Sequence, residues 1–285
     1  MAIPSILLIP SGYKAGKLYS ALPTNGDGDF TVTRNSVGTR VNENGIIEEV
    51  AANVPRLDYS DGGCPSLLLE PTSTNLVVDS VNGRPVNTSD LTNKVVSPDG
   101  LVNATRPVPL FVSARFEELV SAGAYATNTL LTYSWYRKRI STPLVTTFIG
   151  DLDTAQNNVN LVIETPNKQT ASDVNGFDRF EVTVKVVDGS LSSTFRGYFG
   201  SIVGIGNLSV AYFGHQLEEN SYATSYIKTV GTAQTRVLDV ATLDLTPFSL
   251  TSITETIGGV EQTPITVIPS TYTVPYGLIN KIIMI

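Results

Sequence analysis

Nowhere along the 285 residues does an apolar i, i+3, i+4, i+7 pattern persist for three turns between capping residues. Short β-competent runs recur instead, each closed by Gly, Asn, Asp or Pro: Leu67 to Leu69, Thr129 to Ile140, Val159 to Glu164, Phe177 to Val187, Ser192 to Phe199 and Leu208 to Glu218. Such regular punctuation predicts an all-β sandwich, in which stacked sheets bury the apolar side chains. Within Phe177 to Val187, Phe180, Val182, Val184 and Val186 alternate with Arg179, Glu181, Thr183 and Lys185, so one face should look in and the other out. Asn44-Gly45, inside TRVNENGIIEEV (39–50), predicts a hairpin closed by a type I′ turn with positive φ at both residues. The best helical candidate is SARFEELVSAGA (113–124), with Ser113 as cap and Phe116, Leu119 and Val120 on one side; a strand or loop fits the same residues.

Composition narrows the partners. Charged residues are 16% of the chain, against about 25% in ordinary soluble domains, so Thr, Ser and Asn must cover much of the surface. The 19 basic and 26 acidic side chains give a net charge of -7 and no basic run. Without clustered Lys and Arg to displace counterions, neither nucleic acid nor an anionic membrane is an expected partner. Cys64 is the only cysteine, which excludes an intrachain disulfide and fits folding in a reducing cytoplasm. The N-terminal MAIPSILLIPSGYK lacks a basic start and is broken by Pro4 and Pro10, so it reads as neither a signal peptide nor a membrane span.

Three segments are expected: a hairpin-rich module over 1–80, the sandwich over 81–236 and a Thr-rich β tail over 237–285. The ends echo one another, since Ile9-Pro10-Ser11-Gly12-Tyr13 recurs as Ile268-Pro269-Ser270-Thr271-Tyr272. Both ends also carry apolar runs that water would not tolerate uncovered. Ile6, Leu7, Leu8 and Ile9 are apolar on both faces of any strand, and Leu278, Ile279, Ile282, Ile283 and Ile285 crowd the C-terminal stretch. Two covers are open: the chain's own sandwich, or other copies of the chain, in which case these residues form an assembly interface.

Longer motifs point to a family. The run Phe30-Thr31-Val32-Thr33-Arg34-Asn35-Ser36-Val37-Gly38-Thr39-Arg40-Val41-Asn42-Glu43-Asn44-Gly45, with the later AANVPRLDYSDGGCPSLLLEPTSTNLV, resembles a module of fibre and spike proteins of tailed bacteriophages. Tyr133-Ser134-Trp135-Tyr136-Arg137-Lys138 and Gln216-Leu217-Glu218-Glu219-Asn220-Ser221-Tyr222-Ala223-Thr224-Ser225-Tyr226-Ile227 resemble parts of the carbohydrate-binding-module-like jelly rolls in those fibres. The combination is most similar to the fibres of crAss-like phages. What the resemblance implies is a jelly-roll-like sandwich with flanking β-hairpin modules, in a virion component that assembles in the host cytoplasm. It implies a homo-oligomer, most simply a trimer, bound to a capsid or fibre-anchoring protein and able to touch host surface glycans. The length suits a short head fibre better than a tail fibre, which would add a shaft and a receptor tip.

Candidate chemistry is sparse. His215 is the only histidine, stands in a strand-like run and has no GxSxG partner sequence, so it reads as structural. Cys64 reads as filling a small apolar site. A polysaccharide-cutting spike would need two carboxylates across a glycosidic bond, but Glu48-Glu49, Glu117-Glu118 and Glu218-Glu219 are neighbours that a strand sends to opposite faces. Asn25-Gly26-Asp27-Gly28-Asp29 opens like a calcium loop, yet its twelfth position is Ser36 rather than Glu; Asp151-Leu152-Asp153 is weaker still. Tyr133 and Trp135 share one strand face with Arg137, which makes them the candidate glycan platform, with core packing as the other reading. No cofactor, metal site or enzymatic activity is expected.

Overall fold

In the computed structural model the described residues are 3–14, 16–86, 88–106, 108–109, 115–120, 124–140, 161–169, 173–190, 193–198 and 210–285. Among them the protein is all-β, with no helix. They form two compact units, Met1–Thr72 with Arg236–Ile285, and Ser73–Thr235. The expected flanks, 1–80 and 237–285, are thus combined in one unit that the sandwich interrupts. The physical reason lies in the apolar ends: Ile6–Leu8 pairs antiparallel with Gly277–Met284, Ile6 opposite Met284 and Leu8 opposite Ile282.

In the first unit Gly277–Met284 is a central strand. It pairs with Ile253–Ile257 and with Ser66–Leu69, whose outer neighbour is Leu57–Asp58. A second sheet runs Tyr13–Lys14, Lys17–Leu18, Phe30–Thr33, Val240–Asp244, Thr271–Thr273. The two sheets share a core that includes Ile6, Leu8, Phe30, Leu67, Leu69, Leu243, Tyr272 and Ile282. The echoed Ile-Pro-Ser-x-Tyr runs deliver Tyr13 and Tyr272 to opposite edges of the second sheet. The Gly38–Val41 and Ile47–Val50 strands form the expected hairpin, but its turn is different. Only Gly45 has a positive φ (75°), the Gly45 amide donates to the Asn42 carbonyl (2.9 Å), and the Asn42 amide donates to that of Ile46 (2.8 Å). This is a three-residue loop ending in a left-handed glycine, a common alternative to the two-residue turn.

The second unit holds a six-stranded antiparallel sheet in the order Lys94–Val96, Val102–Thr105, Val210–Glu218, Leu130–Arg139, Asp178–Val186, Leu161–Gln169. A three-stranded sheet, Pro85–Val86, Arg115–Val120 and Ser193–Tyr198, adds to its β-sandwich character. The helical candidate is therefore a strand at 115–120, and Ser113 lies outside the described residues. Phe180, Val182, Val184 and Val186 are buried as the alternation predicts. Thr183, on the other face, is buried too, because the chain after Glu218 lies over it: Thr183 donates to the Ser221 carbonyl (3.2 Å) and Thr132 to that of Asn220 (2.8 Å). The unit's entering and leaving segments adjoin, with Thr74 and Thr235 hydroxyls 2.8 Å apart.

Candidate functional site

The proposed glycan platform is part of the core. Tyr133 and Trp135 do share a face, but it is the inner one: Tyr133 lies opposite Val182 and Leu217, and Trp135 opposite Phe180, with rings stacked at 5.6 Å. Trp135 is 1% exposed and Tyr133 0%, and Arg137 packs its guanidinium over the Phe180 ring at 4.5 Å. Turning Trp135 outward would forfeit about 3–5 kcal/mol of packing, roughly all that a millimolar contact supplies, about 4 kcal/mol. A pyranose does not reach these rings.

The expected assembly interface divides in two. Ile6, Leu8, Ile279 and Ile282 are fully buried within the first unit, so they are core rather than contact surface. Leu7, Leu278, Ile283 and Ile285 are half-buried, and Ile9 is 40% exposed. The apolar ends needed a cover, and they find it inside the first unit: they pair with each other, and Gly277–Met284 pairs also with Ile253–Ile257 and Ser66–Leu69.

What the sequence reading missed is a buried ionic cluster in the first unit. Arg34, Arg56 and Arg236 are 0–1% exposed, and they converge on Asp239 and Glu70. Arg34 binds Asp239 at 2.9 Å and donates to the carbonyls of Ser36, Val50, Ala51 and Val54, so it ties one strand to the turn beyond the hairpin. Arg56 binds Glu70 at 2.8 Å, pairs closely with Asp239 and donates to the Thr39 carbonyl. Arg236 lies 3.4 Å from Glu70 and 3.5 Å from Asp239. Burial alone would push Arg56 down, but Glu70 and Asp239 outweigh it and hold its guanidinium above the ordinary value. Arg34 is lowered, because burial exceeds what Asp239 returns. Gly38 closes the cluster: a Cβ there would stand 3.0 Å from Arg34 Nε and 3.2 Å from the stems of Arg56 and Arg236. Three cations against two carboxylates, tied to backbone carbonyls, make a clamp joining distant segments. Part of the signal was present, since Arg34, Arg56 and Glu70 fall in quoted motifs, but Arg236 and Asp239 lie in none, and isolated arginines in a sequence read as surface.

A second polar network lies in the second unit. Glu218 is 0% exposed and accepts from Ser73 Oγ (2.5 Å), Thr224 Oγ1 (2.5 Å), the Thr224 amide (3.0 Å) and Gln216 Nε2 (2.7 Å). Its neighbour Glu219 is exposed, which is the opposite-face arrangement expected of adjacent acids. Glu48 pairs with Arg40, and the side chains of Glu117 and Glu118 lie outside the described residues. Gly214, at φ +67°, makes a bulge opposite Ser134–Tyr136, and the next residue, His215, sets Nδ1 3.0 Å from Tyr133 Oη. Burial lowers His215 to about 3, against a small opposing pull from Asp79.

The remaining candidates are plain. Asp27 and Asn25 bind each other and Asp29 accepts from Ser20, so those oxygens are spent on a turn. Asp151 to Asp153 lie outside the described residues. No group of three or more His, Cys, Asp or Glu side chains gathers among the described residues. Cys64 is exposed on the Gly62-Gly63 turn rather than filling an apolar site. No described helix is long and apolar enough to cross a membrane. Compared with protein families and with curated proteins, the chain matches none.

Proposed function

We propose that the chain is a structural fibre protein of a tailed-bacteriophage virion, of the crAss-like kind, acting as a head fibre. In this reading it is a non-enzymatic homotrimer, its second unit is a jelly roll, and it binds a capsid or anchoring protein. One observation carries the reading: several of the residues behind the resemblance make the buried polar contacts inside each unit. Arg34, Arg56 and Glu70 of the first motif build the ionic clamp, while Gln216, Glu218 and Thr224 of the second build the buried carboxylate network. A likeness written into fold-determining contacts supports a shared scaffold better than one confined to surface loops would. With Ile6, Leu8, Ile279 and Ile282 used internally, self-association falls to what stays open in the first unit, including Ile9 and the outer sides of Leu7, Leu278, Ile283 and Ile285. Glycan adhesion would fall to exposed aromatics such as Tyr222, at 46% exposure, rather than to Tyr133, Trp135 and Arg137.

Light scattering on the purified chain over a range of concentrations tests the assembly. The expected mass is three times the chain's 30.5 kDa. A monomer at every concentration would remove the fibre reading, and immunogold labelling of tails but not heads would replace head fibre by tail fibre. Release of reducing ends from host capsule by the pure protein would overturn the non-enzymatic assignment.

A further inference from the structure

Glu218 does more than fill a buried corner. One of its oxygens accepts the hydroxyl of Thr224 (2.5 Å) and the other accepts the carboxamide nitrogen of Gln216 (2.7 Å). The carboxamide oxygen of Gln216 accepts the Ile227 amide at 2.7 Å, and its nitrogen also donates to the carbonyls of Thr224 and Ser225 at 3.3 Å. That seats the carboxamide against the residue that bears the hydroxyl. Gln216 and Glu218 are 0% exposed and Thr224 1%, so bulk water is kept away.

These are the parts of an acyl-transfer site: a hydroxyl nucleophile, a carboxylate base shared with the leaving group, and a backbone N–H where negative charge would develop. We propose that Thr224 and Gln216 join in an intramolecular ester with Glu218 as the proton carrier, an inference independent of the fibre reading. Thr224 Oγ1 adds to Gln216 Cδ while its proton passes to Glu218. The oxyanion formed on the Gln216 oxygen meets the Ile227 N–H. Glu218 then gives the proton to Gln216 Nε2, the C–N bond breaks, and ammonia leaves. The balance is one hydroxyl and one carboxamide to one ester and one ammonia, with the Glu218 carboxylate regenerated and no oxidant or metal required. Holding both reactants in one folded site supplies proximity, and burial then shields the ester from hydrolysis. Ser73 also reaches Glu218 (2.5 Å), but its hydroxyl accepts from Asn220 Nδ2 (3.0 Å), and the Gln216 carboxamide contacts residues 224 and 225.

The test is the intact mass of the purified full chain, followed by a chymotryptic map. The expected mass is that of the sequence less one ammonia, and cleavage after Tyr222 should leave two peptides joined through Gln216 and Thr224 that hydroxylamine separates. Thr224→Val and Glu218→Gln should each keep the ammonia. A wild-type chain that retains its full mass after prolonged incubation overturns the proposal. So does an ammonia loss that persists in Thr224→Val or maps to an Asn-Gly pair such as Asn44-Gly45. Should the variants fail to fold, the wild-type mass and peptide map still decide.

Discussion

Because His215 is the only histidine, its burial makes a single-site prediction about acid stability. The unfolded chain takes up a proton near the ordinary value of 6.5, whereas the folded chain refuses it until about 3. The unfolded state therefore binds more protons in between, so stability is full above about pH 6.5 and is lost as pH falls toward 3. At about pH 5 the gap is roughly 1.5 units at 1.36 kcal/mol each, about 2 kcal/mol. Any folded value below about 4 gives nearly the same figure, so the result rests on burial rather than on an exact titration point. The perturbation is a shift from about pH 7.5 to about pH 5 in the wild-type chain and in His215→Asn, which removes the titrating ring. Urea unfolding read by Trp135, the only tryptophan and a neighbour of Tyr133 at 5.8 Å, reports on the unit that holds the histidine. The wild-type chain should lose about 2 kcal/mol more than the variant over that interval. Equal losses in the two proteins would refute the reasoning.

Two further predictions separate core from surface. Asp239→Asn leaves Arg34 and Arg56 short of a buried charge, and the first unit should lose about 3–5 kcal/mol in chemical denaturation followed by circular dichroism; adding Arg236→Met, which removes one of three cations, should restore part of it. Ile282→Ala should cost about 2–5 kcal/mol of stability with no change in native solution mass, because Ile282 is fully buried in its own unit; a lower oligomer mass with unchanged stability would return Ile282 to an interface.

How much of this was legible depends on the range of the interaction concerned. The Asp178–Val186 strand was readable because its alternation is local, and so was the position of the 38–50 hairpin. Its turn type was not, because Asn-Gly serves equally well where only the glycine takes a positive φ. The shared face of Tyr133 and Trp135 was readable from period two, but nothing local says whether that face meets a second layer or the solvent. The apolar ends showed that a cover was required without showing that Leu8 meets Ile282. The clamp was least visible, since Arg34 finds Asp239 across 205 residues and a buried arginine looks like any other until its partners are known. The carboxylate network was seen only as a pair of adjacent acids, because the donors Ser73 and Gln216 come from different strands.

The pairing of Ile6–Leu8 with Gly277–Met284 also sets a clock. A ribosome adding about 5–20 residues per second releases the partner strand roughly 15–60 s after the first one. Through that interval the first strand has only the bridge from Leu7 to Leu22, and a product cut short anywhere before Gly277 leaves its other edge unpaired. The Ser73–Thr235 stretch is continuous and can complete itself meanwhile, bringing Thr74 beside Thr235. Once it has, the search that unites the chain's two extremities spans the first unit's own residues alone, which shortens the loop to be closed by more than half and lowers its entropy cost by about 1 kcal/mol. The inserted unit thus acts as a stitch, drawn tight before the seam is sewn.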